Sequence, residues 1–106
     1  MSASQHPVAI VDPSIRDLVP GFLKSKRADI AGALAALELG EFERARQVGH
    51  QLKGDGGAYG FDALTKIGSK FEDAVLARNQ AAAVKWARQL IKYLDTVRVR
   101  FSDDVS

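Results

Sequence analysis

One histidine of this chain has a lysine and two glycines at spacings that suit nucleophilic chemistry. His50 is followed by Lys53, Gly54 and Gly57, which lie three, four and seven residues further along the chain. In an α-helix these steps bring side chains to one face. The sequence therefore predicts an exposed imidazole with one cation beside it, and glycines that leave room for another molecule to approach.

A helix through this stretch would direct the imidazole to solvent. Ala45, Val48 and Leu52 follow the three- and four-residue steps of a buried helix face. At about 100° per residue, His50 points roughly 160° away from both Val48 and Leu52. An exposed imidazole is mostly neutral at neutral pH and offers a nitrogen lone pair. We therefore interpret His50 as a nucleophile that needs no separate base, with Lys53 stabilising negative charge.

The glycines leave two alternatives open for the local structure. Gly49, Gly54, Gly56 and Gly57 would each cost a helix roughly 0.5–1 kcal/mol relative to alanine. One alternative is a loop from Gly54 to Gly60, with the histidine an ordinary residue in the last helical turn. The other is a continuous helix, in which Gly54 and Gly57 admit another protein, and Gly49 and Gly56 lie toward a neighbouring helix.

The arrangement resembles the histidine phosphotransfer (HPt) domains of multistep phosphorelays. The specific part is His-x-x-Lys-Gly beginning at His50, with Gly60 ten residues after the histidine. The resemblance extends over about residues 11 to 101. It includes a segment on each side of the motif: Asp12-Pro13, Ile15, Leu18, Pro20, Phe22-Leu23 and Arg27 before it, and Leu64, Ile67, Phe71, Glu72 and Ala74 after it.

This resemblance implies a function and its participants. Nε2 of His50 would accept a phosphoryl group from the phosphoaspartate of a response-regulator receiver domain and pass it to another receiver, with Lys53 stabilising the phosphate. One of these receivers is expected to be that of a hybrid histidine kinase. Mg²⁺ would belong to the receiver's acidic pocket, so we expect no cofactor on this chain.

The resemblance also implies a partner-binding surface around the histidine. The expected contacts are Gly54, Gly57, Arg46, Gln47 and Phe22. Phe22 is included because Phe22 and Leu23 cannot both face inward, and an exposed Phe22 would lie near the histidine. Asp55 departs from the small neutral residue that is common after the Lys-Gly pair. It would be turned about 140° from the histidine, so we expect it to affect partner choice rather than phosphate affinity.

Other chemistries have little support in the sequence. A Gly-x-x-x-x-Gly-Lys-Ser/Thr loop and a kinase-type glycine-rich motif are both absent, so we expect no ATP-dependent kinase activity. The chain has no cysteine, and its two histidines are far apart, which argues against a metal centre. One function of a different class stays open: a non-catalytic adaptor that docks on a receiver domain or another helical protein.

Composition limits the remaining possibilities. The 106 residues are 46% hydrophobic and 26% charged, which is typical of one globular domain without a membrane span. A net charge of +2, spread among mixed charges, does not indicate nucleic-acid binding. The lack of cysteine and of a secretory signal favours the cytoplasm. We expect a monomer.

The apolar pattern predicts an all-α fold, an antiparallel up-down four-helix bundle with a short additional N-terminal helix. Residues 1–11 would form a flexible tail, residues 12–101 the bundle and residues 102–106 a C-terminal tail. Asp12 and Pro13 would begin the short helix, and Pro20 would interrupt it.

The four long helices follow from the spacing of apolar residues and their interruptions. The first would end at Gly40, the second would begin near Glu41 and carry the histidine, and the third would span Phe61 to Ala77. The fourth would follow Arg78-Asn79. We interpret the alternation over residues 97–101 as the end of that helix rather than as a strand.

Overall fold

Four α-helices make up most of the protein. The computed structural model describes residues 6–104, in which α1 spans Val19–Glu38, α2 Phe42–Tyr59, α3 Asp62–Leu76 and α4 Gln80–Thr96. Each helix packs on the next, and α1 also contacts α4, which completes a four-helix bundle. Across this part of the chain, no helix has the length and apolar character to cross a membrane. The predicted helical bundle is confirmed, whereas the antiparallel order of its helices stays a prediction.

The centre of the bundle is made from one apolar face of each helix. Its largest fully buried helical side chains are Ile30 and Leu37 of α1, Leu52 of α2, Leu64, Phe71 and Val75 of α3, and Leu90 of α4. Burying one large aliphatic or aromatic side chain contributes roughly 1.5–3 kcal/mol. This shared core fixes how α3 lies against α2, the helix that carries the histidine.

Two short strands, which the sequence pattern did not predict, join the two ends of the described chain. β1 (Val8–Val11) and β2 (Arg98–Phe101) pair in parallel, with Val8 opposite Arg98 and Val11 opposite Phe101. The interpretation of residues 97–101 as the end of a helix is therefore wrong. Val97 already has extended dihedral angles, and the alternation of half-buried Val99 with exposed Arg98 is that of a strand.

These strands also change the expected domain boundaries. Residues 8–11 belong to β1 rather than to a flexible tail, while residues 1–5 lie outside the described residues. At the other end, Ser102–Asp104 forms a short 3₁₀ turn. The described chain thus continues beyond the helical bundle at both ends as ordered structure.

The short additional N-terminal helix is not confirmed as a separate element. Asp12 accepts a hydrogen bond from the Ser14 backbone N–H at 2.8 Å, as expected of a residue that begins a helix. However, Pro13–Leu18 forms a 3₁₀ segment that continues directly into α1, and Ile15 within it has non-helical dihedral angles. Pro20 lies in the first turn of α1, where its missing N–H has no helical partner to lose.

Helix α2 runs through the glycine-rich stretch without a break, which excludes the loop alternative. A Cβ atom at Gly49 would lie 2.9 Å from Cδ2 of Phe71, and one at Gly56 would lie 2.7 Å from Oγ1 of Thr65. Both contacts are with α3, so these two glycines allow α3 to approach α2 closely. At Gly54, by contrast, an added Cβ atom would meet nothing within 4 Å.

The left-handed backbone that ends α2 also requires glycine. Gly60 has a φ of 90°, a conformation that other residues rarely adopt. An added Cβ atom there would also lie 3.1 Å from the backbone oxygen of Ile10 in β1. This residue therefore ends the helix and lets the first strand pass beside it.

The two kinds of glycine in α2 predict opposite effects of the same substitution. Gly54→Ala should stabilise the fold by roughly 0.5–1 kcal/mol, because alanine is the better helix former and the added methyl group is unobstructed. Gly56→Ala should destabilise it by roughly 1–3 kcal/mol, because the methyl group would displace the α3 backbone. Urea unfolding of both variants beside the wild type measures the difference. Equal shifts of both variants in one direction would contradict the close packing of α2 and α3.

Candidate functional site

His50 lies in the middle of α2 with its side chain 67% exposed. Its Nδ1 atom is 3.2 Å from Oε2 of Glu72, on the neighbouring helix α3. The negative charge of this carboxylate beside Nδ1 favours the form of the neutral ring that carries its proton on Nδ1. The second ring nitrogen, Nε2, is then left with a free lone pair. The exposure predicted for the histidine is confirmed, and the contact distinguishes its two nitrogens.

Glu72 is the residue around which the site is built. Its side chain is only 9% exposed, and a carboxylate is rarely buried unless cations or donors surround it. Besides the histidine, Oε1 lies 3.3 Å from Nζ of Lys53, and Oε2 lies 3.6 Å from Nη1 of Arg46. Gly49 makes room for it, because an added Cβ atom there would lie 3.3 Å from Cβ of Glu72.

The sequence contained a signal for Glu72 that our prediction did not use. The residue occupies a position on the buried face of α3, together with Leu64, Gly68, Phe71 and Val75. A glutamate in such an apolar series needs a partner from another element. The resemblance included Glu72 only as part of a helical pattern, without a role.

Lys53, the cation that the spacing predicted beside the histidine, contacts the same carboxylate as His50. Lys53 is half-exposed and, through Glu72, belongs to the same cluster as His50. Gly54 and Gly57 are exposed, and an added Cβ atom at Gly57 would meet only Oγ1 of Thr65, at an ordinary contact distance of 3.7 Å. The surface beyond the lysine is therefore free of large side chains from α2.

Two residues of the expected partner-binding surface, Arg46 and Gln47, lie about one turn before the histidine and interact with Glu43. Nε and Nη2 of Arg46 donate to the two carboxylate oxygens of Glu43, at 2.8 and 2.7 Å. The hydrogen bonds of this pair raise the pKa of Arg46 and lower the pKa of Glu43. Nε2 of Gln47 donates more weakly to the same carboxylate, at 3.5 Å.

The prediction of an exposed Phe22 is wrong. Phe22 is buried, and its ring stacks on those of Tyr59 and Phe61, with centroid distances of 4.1 and 5.3 Å. Its partners come from the end of α2 and the residue just before α3, so α1 alone could not reveal them. Leu23 is half-buried against the core, so both neighbours face inward in part.

Asp55 belongs to a second charged cluster, which connects α1 and α2. Its Oδ2 atom accepts a hydrogen bond from Nζ of Lys26 at 2.7 Å, and Asp29 accepts another at 3.2 Å. The Lys26 side chain is only 8% exposed. Burial acts to lower the pKa of Lys26, but the hydrogen bonds and charges of the two aspartates outweigh it and raise that pKa. Asp55 therefore has a structural partner within the chain.

This buried ion pair predicts a pH-dependent loss of stability in Asp55→Asn. The variant should be roughly 1–3 kcal/mol less stable than the wild type at neutral pH, because the buried ammonium loses its closest charged partner. The stabilisation is complete below the ordinary lysine pKa of about 10.4 and disappears as the pH rises through the raised pKa of Lys26. Urea unfolding of the wild type and the variant, at pH 7 and again above pH 11, gives the difference in their free energies of unfolding at each pH.

Asp29→Asn is the matched control for this experiment, because Asp29 is more exposed and lies further from the ammonium. At pH 7, Asp29→Asn should lower the free energy of unfolding by less than Asp55→Asn does. An equal cost for the two variants, or a cost of Asp55→Asn that stays constant up to pH 11, would contradict the role of the Lys26–Asp55 pair.

Within residues 6–104, no group of three or more histidine, cysteine, aspartate or glutamate side chains is arranged to hold a metal ion. The chemistry available at this surface is that of an exposed imidazole beside one buried carboxylate and two cations.

Comparison with known families gives one result. A family model described as "Hpt domain" matches residues 17–100, which include all four helices and every residue of the cluster around Glu72. Neither a curated protein nor a solved structure shows significant similarity to the chain.

Proposed function

The chain belongs to the Hpt domain family, and we propose that it is a phosphorelay intermediate whose phosphoryl acceptor is His50. Members of this family take part in histidine phosphotransfer and interact with response-regulator receiver domains. The proposed donor is the phosphoaspartate of one receiver, such as that of a hybrid histidine kinase, and the proposed acceptor is the aspartate of another. The contact of Nδ1 with Glu72 carries this proposal, since it leaves Nε2 unprotonated on an exposed surface.

The transfer step needs no proton movement on this chain. The Nε2 lone pair forms the N–P bond while the P–O bond to the aspartate breaks, and the aspartate carboxylate leaves with that electron pair. The proton on Nδ1 remains, so the ring becomes positively charged. The Glu72 carboxylate, 3.2 Å from Nδ1, stabilises that charge and holds the ring in position. Glu72 is therefore a positioning residue in this proposal.

Lys53 would stabilise the negative charge of the phosphoryl group in the same reaction. Phosphoryl transfer proceeds through a loose transition state with charge on the phosphoryl oxygens, so a positioned cation lowers its energy. The ammonium is held near the ring through Oε1 of Glu72. We expect Mg²⁺ to be supplied by the acidic pocket of the receiver.

The exposed glycines fit the requirement that a receiver approach the ring closely. The aspartyl phosphate must come within about 3–3.5 Å of Nε2, which leaves no room for bulky side chains nearby. Gly54 and Gly57 are exposed, although alanine would favour the helix. With Gln47 and Arg46 on the preceding turn, they form the proposed docking surface for a receiver on a monomeric chain.

His50→Gln tests the acceptor directly. The variant should lose all uptake of phosphate from a phosphorylated receiver, and its fold should remain intact because the side chain is exposed. The measurement is acid-labile, base-stable label on the chain, with circular dichroism as the check on folding.

The control for this variant is His6→Gln, which should take up phosphate like the wild type. Label on His50→Gln would identify another acceptor residue. A wild-type chain that binds phosphorylated receivers yet takes no label from any of them would support a non-catalytic adaptor instead.

Glu72→Gln should slow transfer by roughly tenfold, because the amide keeps the shape of the side chain but removes the negative charge beside the ring. Single-turnover kinetics should show a lower maximal rate of transfer. The receiver concentration that gives half of the maximal rate should change little. Asp73→Asn, a neighbouring exposed acid on α3, is the charge-matched control and should retain the wild-type rate. A weakened affinity for the receiver with an unchanged maximal rate would mean that Glu72 only shapes the docking surface.

A further inference from the structure

The charges next to His50 offset one another before any phosphate arrives. Lys53 contacts Glu72, so the nearest cation already lies beside an anion. A phosphoryl group on Nε2 would bring up to two further negative charges to this cluster. The cluster therefore needs a second cation if phosphohistidine is to be stabilised, and Arg46 is the other cation that contacts Glu72.

Arg46 is a neighbour of His50 within this cluster. It precedes the histidine by four residues on α2, which brings the two side chains to the same helix face. Its Nη1 atom and the histidine's Nδ1 atom both contact one oxygen, Oε2 of Glu72, at 3.6 and 3.2 Å. The guanidinium is a planar donor group suited to two parallel hydrogen bonds with phosphate oxygens.

A competing partner occupies the guanidinium in the unphosphorylated protein. Nε and Nη2 of Arg46 both donate to Glu43, whose side chain is exposed. Ion pairs at exposed positions contribute little to stability, because water solvates both partners well. A phosphoryl dianion nearby is a stronger acceptor than a single exposed carboxylate, so the guanidinium can exchange one partner for the other.

We propose that Arg46 is a second phosphate-binding residue, which leaves Glu43 for the phosphoryl oxygens once His50 is phosphorylated. Only hydrogen bonds change in this step, through rotation about the bonds of the Arg46 side chain. Glu43 thereby sets how strongly the protein retains its phosphoryl group. This inference rests on the proposed function, because it requires that His50 be the acceptor.

The test uses the isolated chain, phosphorylated with phosphoramidate so that no receiver is needed. Phosphorus NMR follows the phosphohistidine signal through a pH titration, whose midpoint reports protonation of the phosphoryl oxygens. Arg46→Gln should raise that midpoint by roughly 0.3–1 pH unit, because loss of a bound cation favours the protonated phosphoryl group. Arg44→Gln removes an equal charge from another face of α2 and should leave the midpoint unchanged.

Glu43→Gln tests the competition separately. It should lower the midpoint, because the guanidinium is then released to the phosphate. When Arg46→Gln is already present, Glu43→Gln should shift the titration midpoint no more than the control substitution Glu41→Gln does. An effect of Glu43→Gln that persists without Arg46 would overturn the competition between carboxylate and phosphate.

The outcomes for Arg46 and for the proposed function are distinguishable. Equal midpoints for Arg46→Gln and Arg44→Gln would overturn the role of Arg46 while leaving His50 as the acceptor. A wild-type chain that forms no phosphohistidine with phosphoramidate would contradict the proposed function and this inference together.

Discussion

The close approach of α3 to α2 is the constraint on which the site depends. Glycines at the contact, Gly49 and Gly56, remove the side chains that would hold the helices apart, and the Thr65 hydroxyl donates to the Lys53 carbonyl at 2.8 Å across it. This proximity brings the Glu72 carboxylate into a nearly buried position beside α2. A carboxylate in such a position needs donors and cations, so side chains of α2 surround it. The packing of two helices thus brings a carboxylate to one imidazole nitrogen, Nδ1 of His50.

The balance of charges around that carboxylate links structure to the proposed chemistry. In the resting protein, Glu72 and Glu43 offset Lys53 and Arg46, and the imidazole adds no charge while it is neutral. The proposed phosphorylation would add negative charge on one side of the ring and positive charge on the other. Glu72 lies on the Nδ1 side of the ring, where the positive charge would develop. The same carboxylate contacts Lys53 and Arg46, the two cations proposed to bind the phosphoryl oxygens.

The sequence was informative wherever the direction of a residue follows from its position along one helix. The spacing of Ala45, Val48 and Leu52 was sufficient to predict that the histidine faces solvent, and the same spacing assigned Gly49 and Gly56 to the neighbouring helix. Contacts between distant segments were not predictable in this way. The partners of Phe22 and Asp55 lie far along the chain, and the two paired strands lie near opposite ends of it. The role of Glu72 likewise depends on how α3 approaches α2.

The protonation of the His50 ring tests most directly whether Glu72 selects the reactive nitrogen. Long-range proton–nitrogen NMR of the unphosphorylated protein, at a pH where the imidazole is neutral, distinguishes the two tautomers by their nitrogen shifts. The contact between Nδ1 and the Glu72 carboxylate predicts a proton on Nδ1 and a free lone pair on Nε2. A ring that carries its proton mainly on Nε2 would contradict the selection of that nitrogen by Glu72.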